Sequence, residues 1–122
     1  MNPSAAYVLI VEDDPVDRHW LLALLKKRGI AAEQAATLQE GFDKLTTLAP
    51  LCVLLDLGLP DGNGVEVLRH IRRHGLPIKV AIITGSDDYS TVGTAMLLQP
   101  DILFRKPVDA AEVMSWVATS CC

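Results

Sequence analysis

The side chains of this sequence that could do chemistry follow its short apolar segments. They comprise four carboxylates, one hydroxyl and one amine: Glu12, Asp13, Asp14, Asp56, Thr84 and Lys106. Clustered carboxylates repel one another and lose solvation, so without a counter-charge their pKa values would rise and they would destabilise the fold. A divalent cation relieves that repulsion. Oxygen ligands without His or Cys favour Mg²⁺, or Mn²⁺ in its place.

This set of groups suits phosphoryl transfer. A cation and a lysine can neutralise the oxygens of the transferred group while an aligned carboxylate attacks phosphorus. Asp56 is the predicted nucleophile, because a carboxylate can accept a phosphoryl group covalently and this one stands at the end of an apolar segment. The hydroxyl of Thr84 could donate a hydrogen bond to a phosphoryl oxygen, and the Lys106 ammonium could pair with the same group.

Five segments have the length and character of strands. Residues 7–11, 51–55 and 79–84 are the clearest, because they are short, apolar and rich in β-branched side chains. Residues 30–36 and 102–105 are weaker candidates. The groups described above stand where these segments end.

Helical signals alternate with the strands, in residues 15–28, 37–48, 64–74 and 87–98 and in a last helix from about residue 109. Capping boxes open two of these helices, Thr37 with Glu40 and Asp109 with Glu112. The alternation predicts an α/β fold, a doubly wound five-stranded parallel sheet with helices on both faces. Ligands of such sheets bind at the carboxyl ends of the strands.

Four segments resemble those of a known family. Residues 8–15 (VLIVEDDP), 54–62 (LLDLGLPDG), 82–85 (IITG) and 106–107 (KP) look like the signature segments, in the same order, of response-regulator receiver domains. The resemblance covers essentially the whole chain. It implies a flavodoxin-like, CheY-like fold and a role as a phosphoacceptor in bacterial two-component signalling rather than as an enzyme acting on other molecules.

The resemblance also implies a metal site. Asp13 and Asp56 would bind the ion together with the backbone carbonyl of Gly58, and Glu12 would act on it indirectly. Asp56 would in addition take the phosphoryl group, from a histidine kinase or a His-containing phosphotransfer protein.

Further roles follow from the same resemblance. Thr84 and Lys106 would contact the phosphoryl group and help to move the loop after the fourth strand, and Pro107 would follow a cis peptide bond. Gln99 and Pro100 replace the Gly-Ala pair that usually precedes the last strand, which predicts a stiffer or reshaped turn.

A candidate partner face lies on the last two helices and the strand between them. It consists of four apolar side chains, Val92, Met96, Leu103 and Trp116. Such a face would suit a downstream protein or a homodimer, and simple core packing is the alternative.

Composition argues against several classes of function. With 15 acidic and 11 basic residues the net charge is −4, which argues against direct binding to nucleic acid. No apolar stretch approaches the roughly 18 to 20 residues needed to cross a bilayer, and no secretory signal precedes the first strand. We therefore expect no membrane partner and a cytoplasmic setting. The length of 122 residues predicts one domain, residues 1–122, with a core of about residues 6–119.

The cysteines suggest no special chemistry. Cys52 lies in an apolar segment and is expected in the core, while Cys121 and Cys122 are the last two residues of the sequence. Their spacing predicts neither a metal site nor a disulfide framework.

Two other functions stay open from the sequence. A haloacid-dehalogenase-like phosphatase also uses magnesium and an aspartate nucleophile, but its motif follows the first strand whereas Asp56 follows the third. The other is a receiver that binds proteins without being phosphorylated, against which the complete acidic, Thr and Lys set argues. The glycine-rich residues 58–64 predict a tight turn rather than a nucleotide-binding loop.

Overall fold

The computed structural model describes residues 7–47, 49–85 and 89–121. In chain order the elements of this part are β1 (Tyr7–Val11), α1 (Pro15–Lys27), β2 (Ala31–Ala35), α2 (Leu38–Thr47), β3 (Cys52–Leu55), β4 (Gly58–Leu59), β5 (Gly62–Asn63), α3 (Val65–Arg73), β6 (Lys79–Thr84), α4 (Tyr89–Leu97), β7 (Ile102–Arg105) and α5 (Ala110–Cys121). Two predicted boundaries, the end of the second helix at Leu48 and the start of the fourth at Asp87, lie outside the described residues. In the described part of the chain, no helix combines the length and the apolar character that crossing a bilayer requires.

Five strands form one parallel sheet in the order β2-β1-β3-β6-β7. The chain passes from β1 to β2 on one side, and then places β3 on the other side of β1. Strand order therefore reverses at β1, and the crevice between the carboxyl ends of β1 and β3 is where such sheets bind ligands. The predicted doubly wound sheet is confirmed.

Side chains of the central strands alternate between two cores. In β1, Leu9 and Val11 belong to the core that α2, α3 and α4 cover, whereas Val8 and Ile10 belong to the core that α1 and α5 cover. Every residue of β1 is buried, because helices lie on both faces of the sheet. The loops that leave β1 and β3 thus start from rigid, buried strands.

Two helix starts use the predicted capping residues. The Thr37 hydroxyl oxygen accepts a hydrogen bond from the Glu40 amide at 3.1 Å. Glu40 in turn accepts one from the backbone amide of Ala36 at 2.7 Å, one residue earlier than a standard capping box places it. Asp109 accepts from the amides of Ala111 and Glu112 at 2.8 and 3.3 Å.

One prediction about the cysteines is wrong. Cys52 is fully buried at the start of β3, as expected, but it forms a disulfide with Cys121 of α5. The two residues are 69 positions apart, and packing of α5 against the sheet brings their Cα atoms to 6.0 Å, within the range that a disulfide spans. No local spacing in the sequence could indicate this contact.

The turn after α4 contains Gln99 and Pro100. Gln99 has a φ of 54°, in the left-handed region that costs a non-glycine residue about 1 kcal/mol. Arg72 of α3 holds this turn: its guanidinium donates to the carbonyls of Leu98 at 3.2 Å and Gln99 at 2.7 Å, and to the Asp101 carboxylate at 3.2 Å. The helix end therefore depends on a side chain from the neighbouring helix.

Replacing Arg72 by glutamine is expected to lower the free energy of unfolding by about 1 to 2 kcal/mol, because several charge-assisted hydrogen bonds to the turn are lost. Arg73→Gln is the matched control, since Arg73 is the next residue of the same helix and is exposed. Urea denaturation of both variants measures the difference. Equal stability of the two variants would contradict a holding role for Arg72.

Candidate functional site

The loop after β1 carries the acidic triplet directly into α1. The Glu12 amide donates to the Ala35 carbonyl at 3.0 Å, so the start of the loop is tied to β2. Asp14 is the N-cap of α1, where its Oδ1 accepts from the amides of Val16 at 2.8 Å and Asp17 at 3.4 Å. Asp14 therefore caps the helix, and Glu12 and Asp13 are the carboxylates of this loop that lie near Asp56.

The second loop begins at Asp56. Its amide donates to the Val11 carbonyl at 2.9 Å, which fixes the residue beside the end of β1. Its Oδ1 accepts from the Gly58 amide at 3.3 Å, and the Gly64 amide closes the loop by donating to the Leu57 carbonyl at 2.8 Å. A short antiparallel pairing of β4 with β5 lies between them, within the predicted turn. Backbone contacts on both sides thus position the predicted acceptor.

The two loops bring three carboxylates together. One oxygen from each of Glu12, Asp13 and Asp56 lies within 4.8 Å of the others. Glu12 is buried, with 2% of its surface exposed, Asp56 is partly buried and Asp13 is exposed. A donor set made only of oxygen atoms fits a hard divalent cation such as Mg²⁺.

Lys106 supplies positive charge to the same place. Its Nζ lies 2.5 Å from Glu12 Oε1 and 3.2 Å from Asp56 Oδ2. A third carboxylate, on Asp17, is 2.9 Å from the same nitrogen. The Lys106 backbone amide donates to the Thr84 carbonyl at 3.0 Å, which joins β7 to β6 just below the site. The peptide bond between Lys106 and Pro107 is cis, as the resemblance implied.

The residues that the sequence and the resemblance assign to the metal and the phosphoryl group line one cleft. Its volume is about 350 Å³, and it contains the set Glu12, Asp13, Asp56, Gly58, Thr84 and Lys106, together with Asp14 and Gly85. Thr84 ends β6 and is buried, with 1% of its surface exposed. The cleft lies at the carboxyl ends of the strands, where the topology predicts a ligand.

Burial and crowding change the proton affinities of this cluster. Burial is the main reason that the pKa of Glu12 rises to about 8, and the hydrogen bond and charge of Asp56 add to it, while Lys106 acts in the opposite direction. Burial alone would lower the pKa of Lys106, but its hydrogen bonds to Glu12 and Asp17 outweigh that and hold the pKa above its ordinary value. Lys106 therefore stays charged at neutral pH.

The raised pKa of Glu12 predicts a pH-dependent stability. Between about pH 4.5, the ordinary value, and about pH 8, the folded protein keeps a proton that the unfolded chain releases. The stability that this proton contributes is present below about pH 4.5 and is lost as the pH rises to about 8. Glu12→Gln has no carboxyl group to titrate at this position, so its stability does not fall in this way. The free energy of unfolding of Glu12→Gln minus that of wild type should therefore increase by about 2 kcal/mol or more between about pH 4.5 and about pH 8. Urea denaturation with a chelator present, repeated at several pH values, measures this, and a constant difference would contradict it.

Three residues at the site have roles that the sequence did not reveal. Asp17 contacts Lys106, as described above. Arg18 donates to the carbonyls of Glu12 at 2.9 Å and Asp13 at 3.2 Å, and so holds the acidic loop. Asp61, in the loop after Asp56, accepts from the amides that begin α2, which keeps the pKa of its carboxyl below the usual range. The contacts of Asp17 and Asp61 join residues that are far apart in the chain, and only the fold creates them.

The predicted partner face is divided by the sheet. Val92 is buried in the core beneath α2, α3 and α4, and Leu103 packs partly against the same core. Trp116 packs against the opposite core, beneath α1 and α5. Val92 therefore follows the core-packing alternative, because it lies on the side of α4 that packs against the sheet. Met96, with 50% of its surface exposed, is the member of the set that is open to a partner.

Comparison with known proteins agrees with this geometry. The chain matches the family model of the response regulator receiver domain over residues 8–118, and it therefore belongs to that family. It is similar to the KDP operon transcriptional regulatory protein KdpE of Escherichia coli (strain K12), with 33% identity over 108 residues that cover 88% of this chain and 48% of that protein. It is also similar to the acid tolerance regulatory protein ActR of Rhizobium meliloti (strain 1021), with 32% identity over 88% of this chain and 56% of that protein. The chain spans about half the length of the curated relatives it matches.

A solved structure has the same fold. A CheY-like response regulator receiver domain from Methanospirillum hungatei JF-1 superposes with a TM-score of 0.87 and 25% identity, over 93% of this chain and 91% of that one. The receiver family is a signalling family, and the chain carries the acidic cluster and the lysine described above.

Proposed function

We propose that this chain accepts a phosphoryl group on Asp56 in a reaction that needs Mg²⁺ or Mn²⁺, and that it signals by changing which proteins it binds. The observation that carries the proposal is the contact of Lys106 Nζ with Asp56 Oδ2 at 3.2 Å, inside a cleft that also contains Glu12 and Asp13. The nucleophile Asp56, the positively charged Lys106 and a set of carboxylates that could bind a metal ion therefore lie together. This is the arrangement that phosphoryl transfer requires.

The acidic cluster is the proposed metal site. Asp13, Asp56 and the carbonyl of Gly58 would hold the ion, with Glu12 acting indirectly. When bound, the ion would neutralise charge on the oxygens of the phosphoryl group. The fit rests on the donor set, since all of these groups offer hard oxygen atoms.

The proposed transfer is a displacement at phosphorus. An Asp56 carboxylate oxygen forms the new P–O bond, and the P–N bond to the donor's imidazole breaks, with the electron pair leaving on nitrogen. A Lys106 N–H donates to a phosphoryl oxygen, and the Thr84 hydroxyl donates to another. Later attack of water on phosphorus would release phosphate and restore Asp56.

The proposed partners follow from the family. The donor would be a histidine kinase or a His-containing phosphotransfer protein, and a downstream protein or a second copy would bind through the last two helices, where Met96 is exposed. The net charge of −4 does not favour direct binding to nucleic acid. We further propose that residues 1–122 act as one cytoplasmic domain with a core of about residues 6–119.

The deciding experiment is phosphorylation by a small phosphodonor such as acetyl phosphate, with the intact protein weighed by mass spectrometry. Wild type with Mg²⁺ should gain the mass of one phosphoryl group. Asp56→Asn should gain none, and neither should wild type with a chelator. Asp43→Asn is the control, because Asp43 is an exposed carboxylate on α2.

Two results would overturn the proposal. Phosphorylation of Asp56→Asn at the wild-type level would assign the acceptor elsewhere. Steady release of phosphate from a phosphomonoester substrate would instead support a phosphatase of the haloacid-dehalogenase kind.

A further inference from the structure

Lys106 has three carboxylate partners, and one of them is outside the proposed site. Glu12 and Asp56 belong to the acidic cluster, whereas Asp17 lies in the first turn of α1. The distance from Lys106 Nζ to Asp17 Oδ2 is 2.9 Å, shorter than the 3.2 Å to Asp56. An ammonium group has three N–H donors, so these three carboxylates account for all of them.

The position of Asp17 is well determined by its neighbours. The Asp14 carboxylate caps the helix start and accepts from the Asp17 amide at 3.4 Å. Arg18, the next residue, donates to two carbonyls of the acidic loop and to Gln34 of β2 at 2.9 Å. The first turn of α1 is therefore held against the sheet, and Asp17 faces the lysine that follows β7.

Phosphorylation of Asp56 gives Lys106 new hydrogen-bond acceptors. A phosphoryl group on Asp56 adds negative charge and strong acceptor oxygens. Because the donors of Lys106 are already used, one of them must leave a carboxylate to reach the new oxygens. Glu12 is buried and Asp56 carries the phosphoryl group, so the bond to Asp17, whose side chain is 39% exposed, is the one that water can most easily replace.

We propose that Asp17 is a positioning residue that holds Lys106 toward α1 and competes with the phosphoryl group for it. This inference rests on the proposed function of Asp56. Asp17 thereby keeps the lysine in place in the resting protein and weakens the binding of a phosphoryl group.

The first test uses fluoroberyllate, a mimic of the phosphoryl group, titrated by calorimetry at saturating Mg²⁺. Asp17→Asn keeps the shape of the side chain and removes its charge, so it should bind fluoroberyllate about two- to fivefold more tightly than wild type. Asp17→Glu restores a carboxylate and should return the affinity toward wild type. Glu33→Gln is the matched control, because it removes a carboxylate that pairs with a different lysine, Lys44, at 2.8 Å.

The second test needs no metal or phosphoryl ligand. Acylation of lysines by acetic anhydride, with a chelator present, is followed by mass spectrometry of peptides. Labelling of Lys106 relative to the exposed Lys26 should increase severalfold in Asp17→Asn and stay at the wild-type level in Asp17→Glu. A purely structural effect of the substitution would alter the unfolding temperature and would not be reversed by glutamate.

The outcomes separate the two proposals. If wild type binds no fluoroberyllate, the proposed function fails and this inference fails with it. If wild type binds but Asp17→Asn shows unchanged affinity, or unchanged Lys106 labelling, the inference about Asp17 alone is overturned.

Discussion

Gly64→Ala is expected to destabilise the protein by at least about 3 kcal/mol, because no space exists for the added methyl group. A Cβ at this position would lie 2.1 Å from the carbonyl oxygen of Asp56 and 3.0 Å from the Cα of Leu57. Both of those atoms belong to the backbone, so no side-chain rotation can relieve the contact. The φ of Gly64 is −57°, which any residue can adopt, and the close approach alone therefore explains the glycine.

The same contact predicts a loss of function. Moving Gly64 away would break its hydrogen bond to the Leu57 carbonyl, and moving Asp56 away would disturb its amide bond to Val11. Either change displaces the proposed phosphoacceptor from Lys106. Phosphorylation by acetyl phosphate should therefore decrease strongly even where the Gly64→Ala protein is still folded.

A glycine in the same loop provides the control. At Gly58 a Cβ would have no atom within 4 Å, and its φ is not in the left-handed region. Gly58→Ala should therefore change the free energy of unfolding by less than about 1 kcal/mol. Urea denaturation of the two variants measures the contrast, and equal stabilities would show that the loop adapts to a side chain at Gly64.

Local sequence patterns predict the architecture well because they depend on physics that acts within each segment. The β-branched segments become buried strands, and the helical segments between them end near Gly29 and Gly75, both of which have positive φ. Once the alternation of strand and helix is known, the parallel sheet follows, and its carboxyl ends bring Asp13, Asp56 and Lys106 together. The site was predictable for this reason.

The remaining features depend on tertiary contacts between distant residues. Asp17 and Lys106 are 89 positions apart, and they meet only in the folded chain. Asp61 caps a helix that precedes it by 23 positions. For the proposed partner face, helical spacing makes Val92 and Met96 near neighbours but does not say which of them faces the core, so only the structure separates the buried Val92 from the exposed Met96.

The disulfide between Cys52 and Cys121 is expected to contribute about 4 kcal/mol to stability. It closes a loop across a sequence separation of 69, and restricting the unfolded chain to such a loop has an effect of about this size. Reduction of wild type should therefore lower the free energy of unfolding by that amount. In a reducing cytosol the two cysteines would remain free thiols, so the reduced form is the relevant one there.

Cys121→Ala separates the bond from other effects of the reductant. This variant should have about the stability of reduced wild type and should not respond to dithiothreitol, because the bond is already absent. Thiol alkylation under denaturing conditions supplies an independent count: oxidised wild type should show two fewer reactive thiols than reduced wild type. Equal counts before and after reduction would show that the bond does not form. In that case α5 would be held to the sheet by its buried side chains Val113, Met114 and Val117.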